Sequence, residues 1–315
     1  MPASAALCPA GISSFFEVCN TDTAGNVLAD PARIGARGGG FGIRRGVSAF
    51  VNTRKDRKVR VQIRINSELA PEARTTGWAV EEILRRNGVS LNVHIDLKLS
   101  VPMKAGFGTS AAGTLASCLA LIDAADLPLT LNEIGWITHV AEVINGTGLG
   151  TTSALLTGGF VLVTEPGAPG IGVVDRMRFP KDHSLLCGYL GPISTRDVLA
   201  QPDVAGRVNA AAQLAMAGIR SRPEVRTFLD EASRFSKTVG FQTENVTRLA
   251  HSMISLGAVG ATQNMLGEAV HGVVQDDIVN RVLRDLRKAF PSASLFASRL
   301  DERGVRLMDP RNPKH

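Results

Sequence analysis

The stretch V-P-M-K-A-G-F-G-T-S-A-A-G, residues 101–113, holds the most chemically suggestive spacing in the chain. Pro102 stops a strand, and Gly106 and Gly108 release the backbone so that several N–H groups can converge on one concavity. A helix opening near Ser110 adds the positive end of its dipole, which suits the site to a polyphosphate. Thr109 and Ser110 offer hydroxyls to a phosphate oxygen or a magnesium ion, and Lys104 places a charge at the rim. The spacing Gly106-x-Gly108-x-x-Ala111 also fits a dinucleotide fingerprint. That reading needs a strand buried on both faces before the loop and an acid after the next strand. The strand here alternates, and Asp123 and Asp126 fall at a helix end instead. A Walker loop needs Gly-Lys-Ser/Thr, which is missing. A strand–turn–helix corner with small residues for close packing accounts for the glycines alone.

Other candidate ligands are sparse. His139 and Glu142 lie three apart on one helical face, a spacing that could pair on a metal, but no third ligand accompanies them, and packing explains His139 better. Cys8, Cys19, Cys118 and Cys187 have no ligand spacing, which argues against zinc and for reduced thiols in a cytoplasm. The net charge of +6 is spread along the chain, and aromatic residues make up 5% of it, so nucleic acid is not an expected partner. The cluster RKDRK (54–58) reads as a solvated turn between strands. The N-terminus lacks a basic segment followed by a sustained apolar run, and LASCLALI (115–122) is too short to span a bilayer, so no membrane is expected.

These residues need elements to hold them. VRVQIRI (59–65) and LNVHIDLKLS (91–100) alternate with period two, which predicts strands buried on one face in an antiparallel or mixed sheet. Between them the pattern predicts a helix over 72–87, ended by Asn87-Gly88. Helices over 110–124 and 131–144 follow the loop. Strands are predicted over 158–165, 173–179 and 183–191, then helices over 202–219, 223–238, 242–256 and 275–290. Composition shifts from strand-rich to helix-rich near 180, which predicts one domain over 1–180 and a second over 181–315. By its residues alone, 261–270 reads as a helix start with a buried Met265.

PMKAGFGTSAAG resembles the P-x-x-x-G-[LF]-G-x-S-[AG]-[AG] loop of the GHMP kinases, a superfamily that phosphorylates small molecules from ATP. PAGISSFFEV (9–18), DPARIGARGGGFGIRRGV (30–47), HVAEVINGTGLG (139–150), GGFVL (158–162) and ATQNMLGEAV (261–270) resemble its archaeal pantoate kinase branch in content and order. The resemblance implies an α+β fold, with an S5-like N-terminal domain, a ferredoxin-like C-terminal domain and the site in the cleft between them. It implies ATP and Mg2+, a cytoplasmic homodimer, and transfer of a phosphoryl group to pantoate, giving 4-phosphopantoate for coenzyme A synthesis. Alternatives are another hydroxy acid or a mevalonate-like alcohol as acceptor, or a non-catalytic relative that only binds nucleotide or metabolite.

Carried over residue by residue, the resemblance gives Pro102, Ala105, Gly106, Phe107, Gly108, Thr109, Ser110 and Ala111 to ATP, and Ser110 with Glu142 to magnesium. It places Ser13 and Ser14 at the substrate pocket, and Gly260, Gln263 and Asn264 in a motif that closes over substrate and phosphates. A small carboxylate needs a fixed cation or backbone donors; Arg37 is the first candidate, ahead of Arg33 and Arg44. One departure stands out. The branch reads G-L-G-D-V after the Glu142 helix, where the aspartate matches a catalytic acid, but this chain reads Gly148-Leu149-Gly150-Thr151-Thr152. Thr151 takes no proton at neutral pH, so among the candidate catalytic residues, Thr151 and Lys104, neither is a carboxylate.

Overall fold

The computed structural model describes residues 3–191 and 202–309. Two long strands, β1 (Ala3–Cys19) and β2 (Gly35–Lys55), pair antiparallel and form the spine. Register shifts after Pro9 and after Ser13 bend this ribbon, and with its many small residues they hide the period-two signal from the sequence. The glycine- and arginine-rich 35–46 segment forms the first half of β2. β3 (Arg60–Ile65), β4 (Glu68–Leu69) and β5 (Leu91–Leu99) extend the sheet in the order β1-β2-β5-β3-β4. β3 and β5 run parallel because helix α1 (Arg74–Arg86) crosses between them. The basic cluster falls at the β2–β3 turn, as its charge predicts.

Helices α2 (Thr109–Ala124), α3 (Leu131–Asn145) and α4 (Thr151–Thr157) follow, then β6 (Phe160–Glu165) and β7 (Val173–Met177). β2 is long enough to take β5 on residues 47–55 and β6 on residues 38–41. α2 is apolar or small on every side and is buried accordingly; Leu115, Leu121, Val93, Ile95, Ile83 and Ile137 form the core beneath it.

A second sheet holds β8 (His183–Gly191), β9 (Gly260–Gln263), β10 (Glu268–Gln275) and β11 (Ser294–Ser298), ordered β11-β8-β10-β9 and wholly antiparallel. Helices α5 (Pro202–Ser221), α6 (Val225–Val239), α7 (Glu244–Ser255) and α8 (Val279–Ala289) complete it. β10 divides its side chains between two cores. Ala269 and Val273 face the layer shared with the first sheet, while Val270 and Val274 face α7 and α8. The shared layer is aromatic: Phe41 stacks on Phe160 at 4.5 Å, and Phe228 of α6 meets Phe160 edge-on at 4.7 Å. The two sheets therefore meet through one continuous core. Residues 261–270 form the β9–β10 hairpin, so the helix start read from composition there is wrong; Met265 is buried as expected, but at the turn.

The chain then returns to its beginning. β12 (Arg306–Leu307) pairs with β1 at Ala6 and Leu7. Asp301 ties this segment down: its backbone bonds Gly42 and Gly159, and its buried carboxylate accepts both Arg306 terminal nitrogens at 3.0 and 2.9 Å. No helix among the described residues is long and apolar enough to cross a membrane.

Candidate active site

The loop between β5 and α2 has the conformation its glycines suggest. Gly106 and Gly108 have φ of 71° and 58°, a region that costs any other L-residue about 1–2 kcal/mol. Both also admit close neighbours: a Cβ on Gly106 would lie 2.8 Å from the Asn264 Cβ, and one on Gly108 would lie 2.7 Å from the Thr151 Cγ2. Gly108 is the N-cap of α2, and no side chain caps this helix. The first-turn N–H groups of a helix have no intrahelical acceptor, so these amides are presented at the half-exposed Thr109 and Ser110. Ala105 and Phe107 are buried anchors between the glycines; Phe107 packs on Phe296 at 5.7 Å, and its carbonyl accepts from Gly11 of β1 at 3.1 Å. Ala111 is buried in the core, and Pro102 is half-buried at the strand end. Lys104 stands exposed at the rim with φ of 56°.

Glu142 lies beside this helix start. It is 3% exposed, and burial pushes its carboxyl up to about 7, against the lowering pull of the Ser110 and Thr147 hydroxyls. Thr147 Oγ1 donates to its Oε1 at 3.2 Å. Among the described residues no arginine or lysine pairs with it. A buried carboxylate without a cation, facing a serine hydroxyl next to open amides, fits Mg2+. That ion is commonly held by one or two carboxylates plus substrate phosphates. His139 is no partner in this: it is buried, and its Nε2 lies 2.8 Å from the Ile34 carbonyl oxygen, so it packs the 31–34 segment as its packing reading supposed.

Thr151 begins α4, and its methyl fills the space over Gly108 and Gly11; a Cβ on Gly11 would lie 3.1 Å from Thr151 Cγ2. The structure therefore sets Thr151 directly against the loop. Its neighbour Thr152 is buried, with a hydroxyl that has no partner.

The residues expected at the substrate act mainly as a brace. Ser14 Oγ lies 2.8 Å from His271 Nε2, His271 Nδ1 lies 2.8 Å from Asn264 Oδ1, and Asn264 Nδ2 donates to the Ala105 carbonyl at 3.3 Å. The Ser13 carbonyl accepts from Met265 N at 2.8 Å. Gln263 spends its amide on Ser236, Phe241 and the Gly267 carbonyl, so it holds the β9–β10 turn. Gly260 packs against Leu229 of α6. Arg37 is opposite Glu17 on the β1–β2 ladder and pairs with it at 2.8 Å; Glu17 also accepts from Gln213 of α5. Arg37 keeps a buried Nε without a partner. Alternation along β2 puts it on the face opposite Ala36, whose atoms lie against Gly150. Sequence reasoning missed His271. It is an isolated histidine in an apolar strand, and only its cross-sheet neighbours distinguish it.

Residues 74–159, which include the loop, Glu142 and Thr151, match the family described as the GHMP kinases N terminal domain. The pantoate kinase of Thermococcus kodakarensis is 26% identical over 300 residues, covering 93% of this chain and 96% of that protein. The pantoate kinase of Methanospirillum hungatei is 29% identical over 203 residues, covering 64% of this chain and 66% of that protein. Among solved structures, a phosphotransferase related to the CoA biosynthesis pathway superposes with a TM-score of 0.85 at 22% identity, covering 97% of this chain and 98% of that one. This last likeness establishes the fold. The chain carries the N-terminal domain of the GHMP kinases and has their fold.

Proposed function

We propose that this protein is an ATP-dependent kinase that phosphorylates pantoate, with Mg2+ held by Ser110 and Glu142. The observation that carries the reading is the uncapped start of α2 facing a buried carboxylate that has no cation. An ATP polyphosphate would supply the negative charge that the open amides attract, and Glu142 with the Ser110 hydroxyl would supply oxygen ligands for Mg2+ beside it. The likeness to pantoate kinases over nearly the whole chain is what selects pantoate among acceptors. Family resemblance supports a homodimer acting in the cytoplasm, with a division into two domains near residue 180.

In the transfer, an oxygen of the acceptor hydroxyl attacks the γ-phosphorus while the bond to the ADP oxygen breaks. Ser110 and Glu142 would hold Mg2+, which would supply charge neutralisation for the phosphate oxygens. The loop amides orient the phosphates, and Lys104 adds positive charge at the rim. Thr151 is no base, so the hydroxyl proton leaves late, to a phosphoryl oxygen or water. A loose transition state tolerates this, because positioning and charge neutralisation carry most of the catalysis.

Coupled ADP release tests the reading. Turnover with pantoate that exceeds turnover with homoserine, mevalonate and other hydroxy acids is expected. Faster turnover of a different acceptor would reassign the substrate, and tight ATP binding with no turnover on any acceptor would make the protein a binding relative.

A further inference from the structure

We infer that His271 is a positioning residue for nucleotide binding. Through Asn264 it fixes the direction in which the Gly106 N–H points. This rests on the reading of the 101–108 loop as the phosphate site.

The hydrogen-bond chain admits one proton arrangement. Asn264 Nδ2 donates to the Ala105 carbonyl, so its Oδ1 must face His271 Nδ1, and Nδ1 must carry the proton. His271 Nε2 is then an acceptor, and the Ser14 hydroxyl donates to it. Ser14, His271 and Asn264 are each fully buried, so water cannot replace a missing partner. Burial holds the imidazole at about 3, which keeps it neutral at any working pH and the pattern intact.

The far end of this chain is the loop itself. The Ala105 carbonyl and the Gly106 N–H belong to one peptide plane, and in a trans peptide they point in opposite directions. Holding the carbonyl toward Asn264 aims the N–H away from the hairpin, toward the open side of the loop. Packing closes the same joint. The Cβ that Gly106 lacks would collide with Asn264, and the one that Gly267 lacks would lie 2.6 Å from the Ala105 carbonyl carbon. Without His271 the buried Asn264 Oδ1 has no donor, and the amide is held only by its longer 3.3 Å bond to the Ala105 carbonyl. The second sheet thus orients a peptide of the first.

The test compares His271→Leu, which keeps bulk without polarity, with His271→Gln, which keeps one donor and one acceptor. Thr130→Ala serves as a variant that loses folding stability far from the loop. ATP affinity is measured by calorimetry without acceptor, alongside denaturant unfolding. His271→Leu should weaken ATP binding about tenfold, His271→Gln should recover most of it, and Thr130→Ala should bind as the wild type does. Equal ATP affinity in wild type and His271→Leu overturns the inference while leaving the loop assignment standing; a wild type that binds no ATP overturns both. Should His271→Leu not fold, the unsubstituted protein still decides. Its histidine 15N spectrum should show His271 protonated on Nδ1 and shifted by ATP, and an Nε2–H tautomer or a signal that ATP leaves unmoved overturns the inference.

Discussion

Helices α2 and α3 pack against each other and begin in opposite ways. α3 is sealed: Thr130 accepts from the Glu133 N–H at 3.2 Å, and Glu133 accepts from the Thr130 N–H at 2.7 Å. This capping box answers its own amides and adds a carboxylate to the positive end of the dipole. α2 has a left-handed glycine at its N-cap, no capping side chain and no acid in its first turn. A cap is worth roughly 0.5–2 kcal/mol, so α2 gives up stability that its neighbour keeps. The difference is what the proposed phosphate site requires: one helix start is completed by the fold itself, and the other is left open for a ligand.

Four experiments break or sharpen that contrast. The largest expected effect comes from bringing an acid to the open end. Thr151→Asp puts a carboxylate against Gly108, and turnover at saturating substrate should rise, by up to about the 10²–10⁴ that a positioned base supplies. Binding should weaken, because the same charge repels phosphates. Steady-state kinetics reads both. A variant no faster than wild type would show that this chain handles the proton without a base at that position.

Next is the loop backbone. Gly106→Ala or Gly108→Ala forces an L-residue into the left-handed region and against Asn264 or Thr151. ATP affinity should fall about a hundredfold, at nearly 3 kcal/mol by the usual factor, with secondary structure retained by circular dichroism.

The third concerns Glu142. Its carboxyl ionises near 7 in the fold but near 4.5 as the unperturbed group. Between those values the unfolded chain loses the proton first, so stability falls as pH rises through this window, by on the order of 3 kcal/mol in total. A divalent cation that binds the carboxylate offsets the loss. Thermal unfolding should show Mg2+ raising Tm more at pH 8 than at pH 5.5. Glu142→Gln should flatten that pH dependence and remove the Mg2+ response. A magnesium response that survives the substitution would move the metal elsewhere.

The smallest effect is on the sealed helix. Thr130→Ala should cost about 1 kcal/mol in denaturant unfolding and leave the KM for ATP unchanged. A change in KM would mean that the two helix starts are coupled.

How much of this the sequence disclosed follows from periodicity and from range. β3, β5 and helices α1, α6, α7 and α8 carry clean periods of two or near four, and the structure places them within a few residues of expectation, whereas the short α4 was not expected at all. The conformation of the 101–108 loop was equally legible, because glycines, hydroxyls and a helix start within a dozen residues are a local signal. β1 and β2 were not, since bulges and small residues break their alternation. The 261–270 hairpin was misread because Gly-Ala-Thr-Gln names no element until β10 pairs with it. His271 was invisible for the same reason. Its partners Ser14 and Asn264 are 257 and 7 residues away, and one of them sits on the other sheet.

The return of β12 to β1 has a consequence for how the chain comes into being. Every residue of the second sheet lies between β1 and the strand that finally covers its outer edge. As the protein leaves the ribosome, the first sheet can assemble from β1 to β7 with that edge bare, a template on which nascent chains pair wrongly. Its Ala6–Leu7 stretch stays bare until residues 301–307 emerge and Asp301 locks against Gly42, Gly159 and Arg306. Residues 301–307 thus act as a latch on β1, and a chain stalled or nicked before them should be the form that aggregates.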